Sequence, residues 1–385
     1  MKPFVFNTTR SIINESGALQ KIADICREQH MTKPLVVTDQ GIVKVGLMEK
    51  LESALKTGDM NYSSFTDVVA DPPESVVYDA LEVLKQGNND GVIGFGGGSS
   101  MDTAKLIALL ANTGDKLDDI YGVGIAKGQR LPLILIPTTA GTGSEVTAVA
   151  IVTTGETTKA GVVANQLYPD VALLDAELTI GLPSHITAAT GVDAMVHCIE
   201  AYTSARLKNP YADMIAKEGL RLLSENIMTA THDGKNVAAR QAMLLGACFG
   251  GQAFANSPVA AVHALAYPLG GHYHIPHGLS NSLVLPYVMR FNAPEAKEMY
   301  AELAPIIMGK NVEGDAATVT EALIVHLEQL IVDLGLPNNL KKMDIPEGDL
   351  AMLASDAMKQ QRLLINNPKE VSEADALAIY QAAYQ

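Results

Sequence analysis

The chain has 385 residues, 48% of them hydrophobic and 18% charged, with a formal net charge of −15. A chain of this length divides into two cores more readily than it closes around one, and the composition is that of a globular protein, not a disordered one. The acidic balance excludes nucleic acid or an anionic membrane as the main partner, because both demand clustered Lys and Arg.

The start, "MKPFVFNTTRS", lacks the basic stretch and apolar core of a signal peptide. No apolar run approaches the roughly 20 residues that span a bilayer. Cys26, Cys198 and Cys248 are widely separated and form no ligand spacing. They read as reduced, mostly buried small hydrophobes of a cytoplasmic protein.

In chain order, "PLVVT" (34–38) is a short apolar strand ending at "DQG", followed by helical periodicity through "IVKVGLMEKLESALK". "SSFTDV" is the next strand and "SVVYDALEVLKQG" an amphipathic helix closed by glycine. "GVIGFGGGSS" runs from a strand into a glycine loop, "SMDTAKLIALLAN" is the helix after it, and "LPLILIPTT" the strand after that. Continuous apolar strands alternating with helices predict a mostly parallel sheet covered on both faces. Beyond about residue 180, "SHITAATGVDAMVHCIEAYTS", "YADMIAKEGLRLLSENIMTAT", "VAARQAMLLGACFGGQAF", "ATVTEALIVHLEQLIVDLG" and "SEADALAIYQAAY" all carry helical spacing with no strand between them. The expectation is an α/β domain over 1–182 and an all-helical domain over 183–385.

Glycines 96 to 98 in "GFGGGSSMDTAK" let backbone N–H groups approach a phosphate, the following helix adds partial positive charge, and Ser99 and Ser100 offer hydroxyls. The alternative is a strand–helix turn that needs glycine for geometry alone. A second loop, "PTTAGTGSEVT" (137–147), follows the next strand and is rich in hydroxyls. Side by side, the two loops would cradle a two-phosphate ligand; by itself the second reads equally as a polar turn. Asp39 ends the first clear strand. A carboxylate there suits a ribose 2′-hydroxyl and repels a 2′-phosphate, favouring NAD over NADP, or it simply caps the helix that follows.

Asp193 and His197 in "GVDAMVHCIEA" stand at i and i+4, one turn apart on one helix face. His263 lies on an otherwise apolar helical stretch, the setting of a core histidine as much as of a ligand, and His277 stands between Pro276 and Gly278 in a loop-to-helix setting. One carboxylate with three imidazoles suits Fe(II), Zn(II), Mn(II) or Co(II), and the absence of cysteine ligands argues against a structural zinc. His272 and His274, beside Gly270-Gly271, read as loop residues that line a cleft or are merely solvated.

The segments "GGGSSMDTAK", "PTTAGTGSEVT", "GVDAMVHCIEAY" and "HALAYPLGGHYHIPHG" together closely resemble the iron-containing alcohol dehydrogenases, and the resemblance runs over nearly the whole chain. It implies an N-terminal dinucleotide-binding domain, a helical C-terminal domain of the kind found in dehydroquinate synthase, and NAD(P) and a divalent metal, commonly Fe(II), meeting between them. The metal ligands it implies are Asp193, His197, His263 and His277. Gly96, Gly97, Gly98 and Ser99, with Asp102 nearby, correspond to the phosphate loop, and Thr138, Thr139, Thr142 and Ser144 to the cofactor lining. Lys159 falls where the family has a lysine near the nicotinamide ribose, and Phe254 where it has an aromatic near substrate. Many members carry a second histidine four residues after the third ligand; here that residue is Tyr267, a phenol with an ordinary pKa of about 10, which either relays protons by a different chemistry or only shapes the pocket.

The implied activity is metal-dependent, NAD-linked hydride transfer to or from a small primary alcohol or diol, by a homodimer or larger homo-oligomer. A maleylacetate reductase-like enzyme of carboxylate-bearing substrates and a dehydroquinate synthase-like lyase are the alternatives. Arg362 would meet a substrate carboxylate if its segment returned to the site, and otherwise belongs to the surface.

Overall fold

The computed structural model describes residues 3–155 and 158–385, so Met1 and Lys2 of the stretch read for a leader lie outside it. It divides into two compact units, Asn7–Gly181 and Leu182–Gln385, the second joined by the residues up to Phe6. No helix among the described residues is long and apolar enough to cross a membrane.

The first unit contains β1 (Ser11–Asn14), α1 (Ile22–Glu28), β2 (Pro34–Asp39), α2 (Gln40–Lys44), α3 (Leu47–Thr57), β3 (Ser63–Val68), α4 (Glu74–Gln86), β4 (Gly91–Gly96), α5 (Gly98–Thr113), β5 (Gly122–Val123), β6 (Leu133–Pro137), β7 (Val149–Thr154), β8 (Thr158–Val163) and β9 (Val171–Leu174). Six strands form one sheet in the order β1-β9-β6-β4-β2-β3, every pair parallel. The apolar strands read as they do because both faces are buried. Leu35, Val37, Val92, Leu133 and Leu135 face a core with α4 and α5. Their neighbours Val36, Ile93, Phe95, Ile134 and Ile136 face the opposite core with α1 and α3. From β2 the chain steps to β3 on one side and then returns to β4 on the other, so the topological switch lies between β2 and β4.

Three features depart from the sequence reading. The helix expected over "IVKVGLMEKLESALK" is two helices, because the Gly46 N–H turns back to the Val43 carbonyl and ends α2. A second, three-stranded sheet, β5-β8-β7, contains an antiparallel β7–β8 pair absent from the expected plan. Its strands, "VAIVTT" and "TKAGVV", are short and mixed in polarity. The glycines at 270 and 271 do not make a loop: the helix runs through them to Tyr273, and His274 ends it in the left-handed region at φ 54°.

The second unit is helical: α6 (Ser184–Thr203), α7 (Pro210–His232), α8 (Val237–Asn256), α9 (Ala261–Tyr273), α10 (His277–Met308), α11 (Ala316–Asp333), α12 (Leu350–Ala357), α13 (Gln361–Leu364) and α14 (Glu373–Tyr384). Helix α6 is buried almost all round from Thr187 to Thr203 and packs against α7, α8 and α10. An all-round buried helix is the centre of its unit. Asp193, His197 and Glu200 ride on it, each nearly inaccessible to solvent. Burying three such groups is costly unless each finds partners.

Candidate active site

Helix α6 sets Asp193, His197 and Glu200 on successive turns of one face. His263 comes from the first turn of α9, and His277 is the first residue of α10. One ligand atom from each of Asp193, His197, His263 and His277 lies within 4.8 Å of all the others. Asp193 Oδ1 is 4.0 Å from Nε2 of His197, 3.9 Å from Nε2 of His263 and 3.7 Å from Nε2 of His277. The His277 side chain is 43% exposed while that of Asp193 is 2% exposed, so the cluster is closed on the α6 side and open beside His277. Three imidazole nitrogens and one carboxylate oxygen with an open flank fit a borderline divalent cation that keeps a coordination position for another ligand.

The surroundings hold this geometry. Glu200 Oε2 lies 2.6 Å from Nδ1 of His263, and Glu200 Oε1 accepts the Val262 N–H at 2.7 Å. A carboxylate taking the Nδ1 proton leaves Nε2 of His263 with its lone pair toward the cluster. Asn281, one turn beyond His277, donates from Nδ2 to Asp193 Oδ1 at 2.6 Å. Burial on its own would raise the Asp193 pKa, but His197, His277, His263 and the Asn281 amide together hold it below the ordinary carboxylate range. Close approach of α10 to α6 depends on Gly278: a Cβ there would stand 2.4 Å from the Ala189 carbonyl oxygen.

Phe254 stacks on His197, with ring centroids 4.5 Å apart, and the Tyr267 ring centre lies 5.8 Å from that of His277 on the open flank. His272 and His274 stand apart from the cluster: His272 pairs with Asp356, and His274 caps α9. Arg362 is exposed on α13. Glu200 and Asn281 escaped the sequence reading, although their spacing, seven residues beyond Asp193 and four beyond His277, puts each on the same helix face as those residues.

In the α/β unit, Gly96 ends β4 with φ 149°, and a Cβ there would meet Ser100 Oγ at 2.8 Å. Gly97 caps α5 with no side-chain bond, and no acidic residue occupies the first turn. Ser99 lies in that turn, while Thr139 and Thr142 stand beside Gly97 and Gly98. The Thr138 N–H bonds the Gly96 carbonyl, so the two loops follow neighbouring strands. A helix N-terminus opened by glycine at the sheet's switch point fits a dinucleotide pyrophosphate.

Asp39, across the switch on β2, caps α2 through the Gly41 and Ile42 N–H groups, and its other oxygen accepts from Ser100 Oγ at 3.2 Å. Asp102 is an internal brace: it accepts from Ser144 Oγ at 2.6 Å and from the Ile151 N–H at 3.0 Å. The fully buried Lys105 completes this brace through Ser144 Oγ, Thr147 Oγ1 and the Val149 carbonyl. Lys159 lies on β8, where its Nζ pairs with Asp71 at 2.6 Å.

Moving a hydride to or from a carbon that bears oxygen calls for a nucleotide to carry the hydride and a Lewis acid to hold the oxygen; sites of both kinds make this a metal-dependent oxidoreductase. Comparison with known proteins narrows that class. Residues 9–176 match the model described as iron-containing alcohol dehydrogenase, and residues 187–384 match that of the C-terminal part of the Fe-containing alcohol dehydrogenase family. The chain belongs to the iron-containing alcohol dehydrogenase family, and its cofactors are NAD and iron or another divalent metal.

Long-chain-alcohol dehydrogenase 1 of Geobacillus thermodenitrificans is 39% identical over 371 residues, covering 96% of this chain and 93% of the relative. A crystal structure of a 1,3-propanediol oxidoreductase superposes with a TM-score of 0.96 at 32% identity, covering all of both chains. Sulfoacetaldehyde reductase from Bifidobacterium kashiwanohense, in complex with NAD+, superposes with a TM-score of 0.89 at 29% identity, covering 100% of this chain and 99% of that one.

Proposed function

We propose that Asp193, His197, His263 and His277 hold the divalent cation, Fe(II) in the first place and Zn(II) as a competent substitute, and that the chain interconverts small primary alcohols or diols and their aldehydes with NAD. The observation that carries this reading is the convergence of the four ligand atoms within 4.8 Å. A cation bound there supplies Lewis-acid polarisation of a hydroxyl or carbonyl oxygen, and NAD supplies the hydride acceptor.

The chain's own groups do the rest. Glu200 fixes the tautomer of His263, and Phe254 braces the His197 ring. The Tyr267 phenol, whose ring lies beside that of His277, is the proposed group that passes a proton between substrate and solvent. Gly96, Gly97, Gly98, Ser99, Thr138, Thr139, Thr142 and Ser144 bind the nucleotide, Asp102 holds that loop pair in shape, Lys159 serves the nicotinamide ribose, and Asp39 discriminates against a 2′-phosphate.

The relatives named above act on a long-chain alcohol, 1,3-propanediol and sulfoacetaldehyde. An uncharged alcohol or diol is the favoured substrate; Arg362, an arginine that would suit a carboxylate, is exposed on a four-residue helix. A homo-oligomer in the cytoplasm completes the reading, consistent with Cys26, Cys198 and Cys248 all being buried; light scattering on the purified protein measures the assembly. The decisive experiment assays alcohols and aldehydes of graded length, with and without a charged group, using NAD and NADP on protein reconstituted with Fe(II) or Zn(II). His263→Ala should lose bound metal and turnover together while NAD binding persists; a metal-replete, active H263A protein would overturn the ligand assignment.

A further inference from the structure

The amide of Asn281 is 0% exposed and enters the ligand cluster without belonging to it. Its Nδ2 lies 2.6 Å from Asp193 Oδ1 and 3.3 Å from Nε2 of both His263 and His277, so one nitrogen addresses three of the four ligand atoms. The other end of the same amide is badly served: among the described residues, Asn281 Oδ1 is buried with no hydrogen-bond partner. A buried unpaired carbonyl oxygen is a sizeable penalty, and native proteins rarely keep one. Turning the amide over would not relieve it, because the oxygen would then face the Asp193 carboxylate, acceptor against acceptor. The orientation is therefore dictated by the cluster.

The oxygen to which Asn281 donates is the one that faces all three imidazoles. A donor on that atom occupies one of its lone pairs and stops the carboxylate from rotating about Cβ–Cγ. Asp193 then presents Oδ1 toward the imidazoles. We propose that Asn281 is a positioning residue that holds Asp193 as a one-oxygen ligand and thereby sets both the affinity and the coordination number of the cation site. This rests on the cation-site reading given above.

The test uses the full-length chain, stripped of metal and loaded with Co(II), whose visible absorption reports coordination number and whose affinity is measured by chelator competition. The parent should take up one Co(II). Asn281→Ala should bind it about 10–100-fold more weakly, the usual consequence of losing a group that orients a ligand, and its visible band should weaken as Asp193 swings to two-oxygen coordination. NAD affinity, measured without metal, should stay at the parent value. Asn281→Asp keeps the shape but replaces the donor with a second carboxylate, and its visible band should also differ from the parent; it decides the matter if the alanine variant fails to fold. Parent-like affinity and spectrum in the folded variants would overturn the proposal, as would a lowered melting temperature with an unchanged Co(II) spectrum. Failure of the parent itself to bind Co(II) would instead overturn the cation-site reading on which the proposal stands.

Discussion

Glu200 Oε2 and His263 Nδ1 lie 2.6 Å apart, and neither side chain is more than 5% exposed. The same carboxylate takes the Val262 N–H, so one group fixes both the ring and the backbone that carries it. A ligand oriented in this way typically depends on its outer partner for about 10–100-fold of metal affinity. Glu200→Gln, which can still offer an oxygen to Nδ1–H, should weaken Zn(II) or Co(II) binding by about 10-fold, and Glu200→Ala by about 100-fold. Chelator competition measures both; parent-like affinity in E200A removes the carboxylate from the site's design.

Asp39 has two tasks that a substitution separates. Its Oδ1 caps α2, and Oδ2 reaches Ser100 beside the glycine loop. Asp39→Gly should raise kcat/KM with NADP relative to NAD by at least about 10-fold, since a carboxylate beside the 2′-phosphate costs over 1.4 kcal/mol if it faces that group. Asp39→Asn keeps a capping oxygen and removes the charge. It should shift the cofactor ratio in the same direction with a smaller loss of melting temperature, because Asn caps as well as Asp. An unchanged ratio in both variants leaves Asp39 as a cap alone.

The parallel sheet was legible because strands buried on both faces leave continuous apolar runs, and short runs such as "LPLILIP", bounded by prolines and alternating with helical stretches, read as strands. Asp193 and His197 stand out as a pair because they share a helix turn, but spacing alone leaves that pair weak; the four-residue set with His263 and His277 comes from the family resemblance, and the structure brings those four side chains together. What the sequence withheld is whatever depends on two segments meeting. Glu200 is an ordinary helical glutamate until α9 delivers His263 against it, and Asn281 is an ordinary polar residue until α10 closes on α6. Of the loop expected at His272 and His274, the His274 part is there and the His272 part is not, for a related reason: two glycines weaken a helix by only about 1 kcal/mol each, and the packing of α9 against α10 and α12 outweighs that, so α9 runs on through His272 to Tyr273. Local sequence carries local geometry, and contacts between distant segments must be seen.

Glu145 gives a pH dependence with a definite sign. Burial pushes its carboxyl up to about 7 from an ordinary value of 4.5, against the opposing pull of its own backbone N–H and of Lys105. A carboxyl raised in the folded state contributes stability that is whole below its unfolded value and is lost as pH rises through the folded one. Here that window runs from about 4.5 to about 7. Glu145→Gln, which carries no charge at any pH, should melt above the parent at pH 8, with the gap closing as pH falls toward 5. Scanning calorimetry at a series of pH values measures this; a gap constant across the window shows that Glu145 is ionised throughout.

Gly278 bears on the cation site without touching it. It follows His277 at the start of α10, and an added methyl would stand 2.4 Å from the Ala189 carbonyl oxygen and 3.2 Å from Asp193 Cβ. Neither neighbour can step aside: one is the backbone of the buried helix α6, and the other carries the carboxylate. The start of α10 must therefore retreat, at an overpacking cost of about 1–3 kcal/mol, and it takes with it both His277 and Asn281, which hang from that same turn. Gly278→Ala should lose metal affinity as well as stability, while Gly309→Ala, at the far end of α10, where the added carbon has open space but φ is 65°, should lose stability alone through backbone strain. Metal content after dialysis, read beside the melting temperature of each variant, separates the two effects. A metal-replete G278A protein with lowered stability would mean that the ligands follow α10 wherever it moves, and that α6 does not fix where they meet.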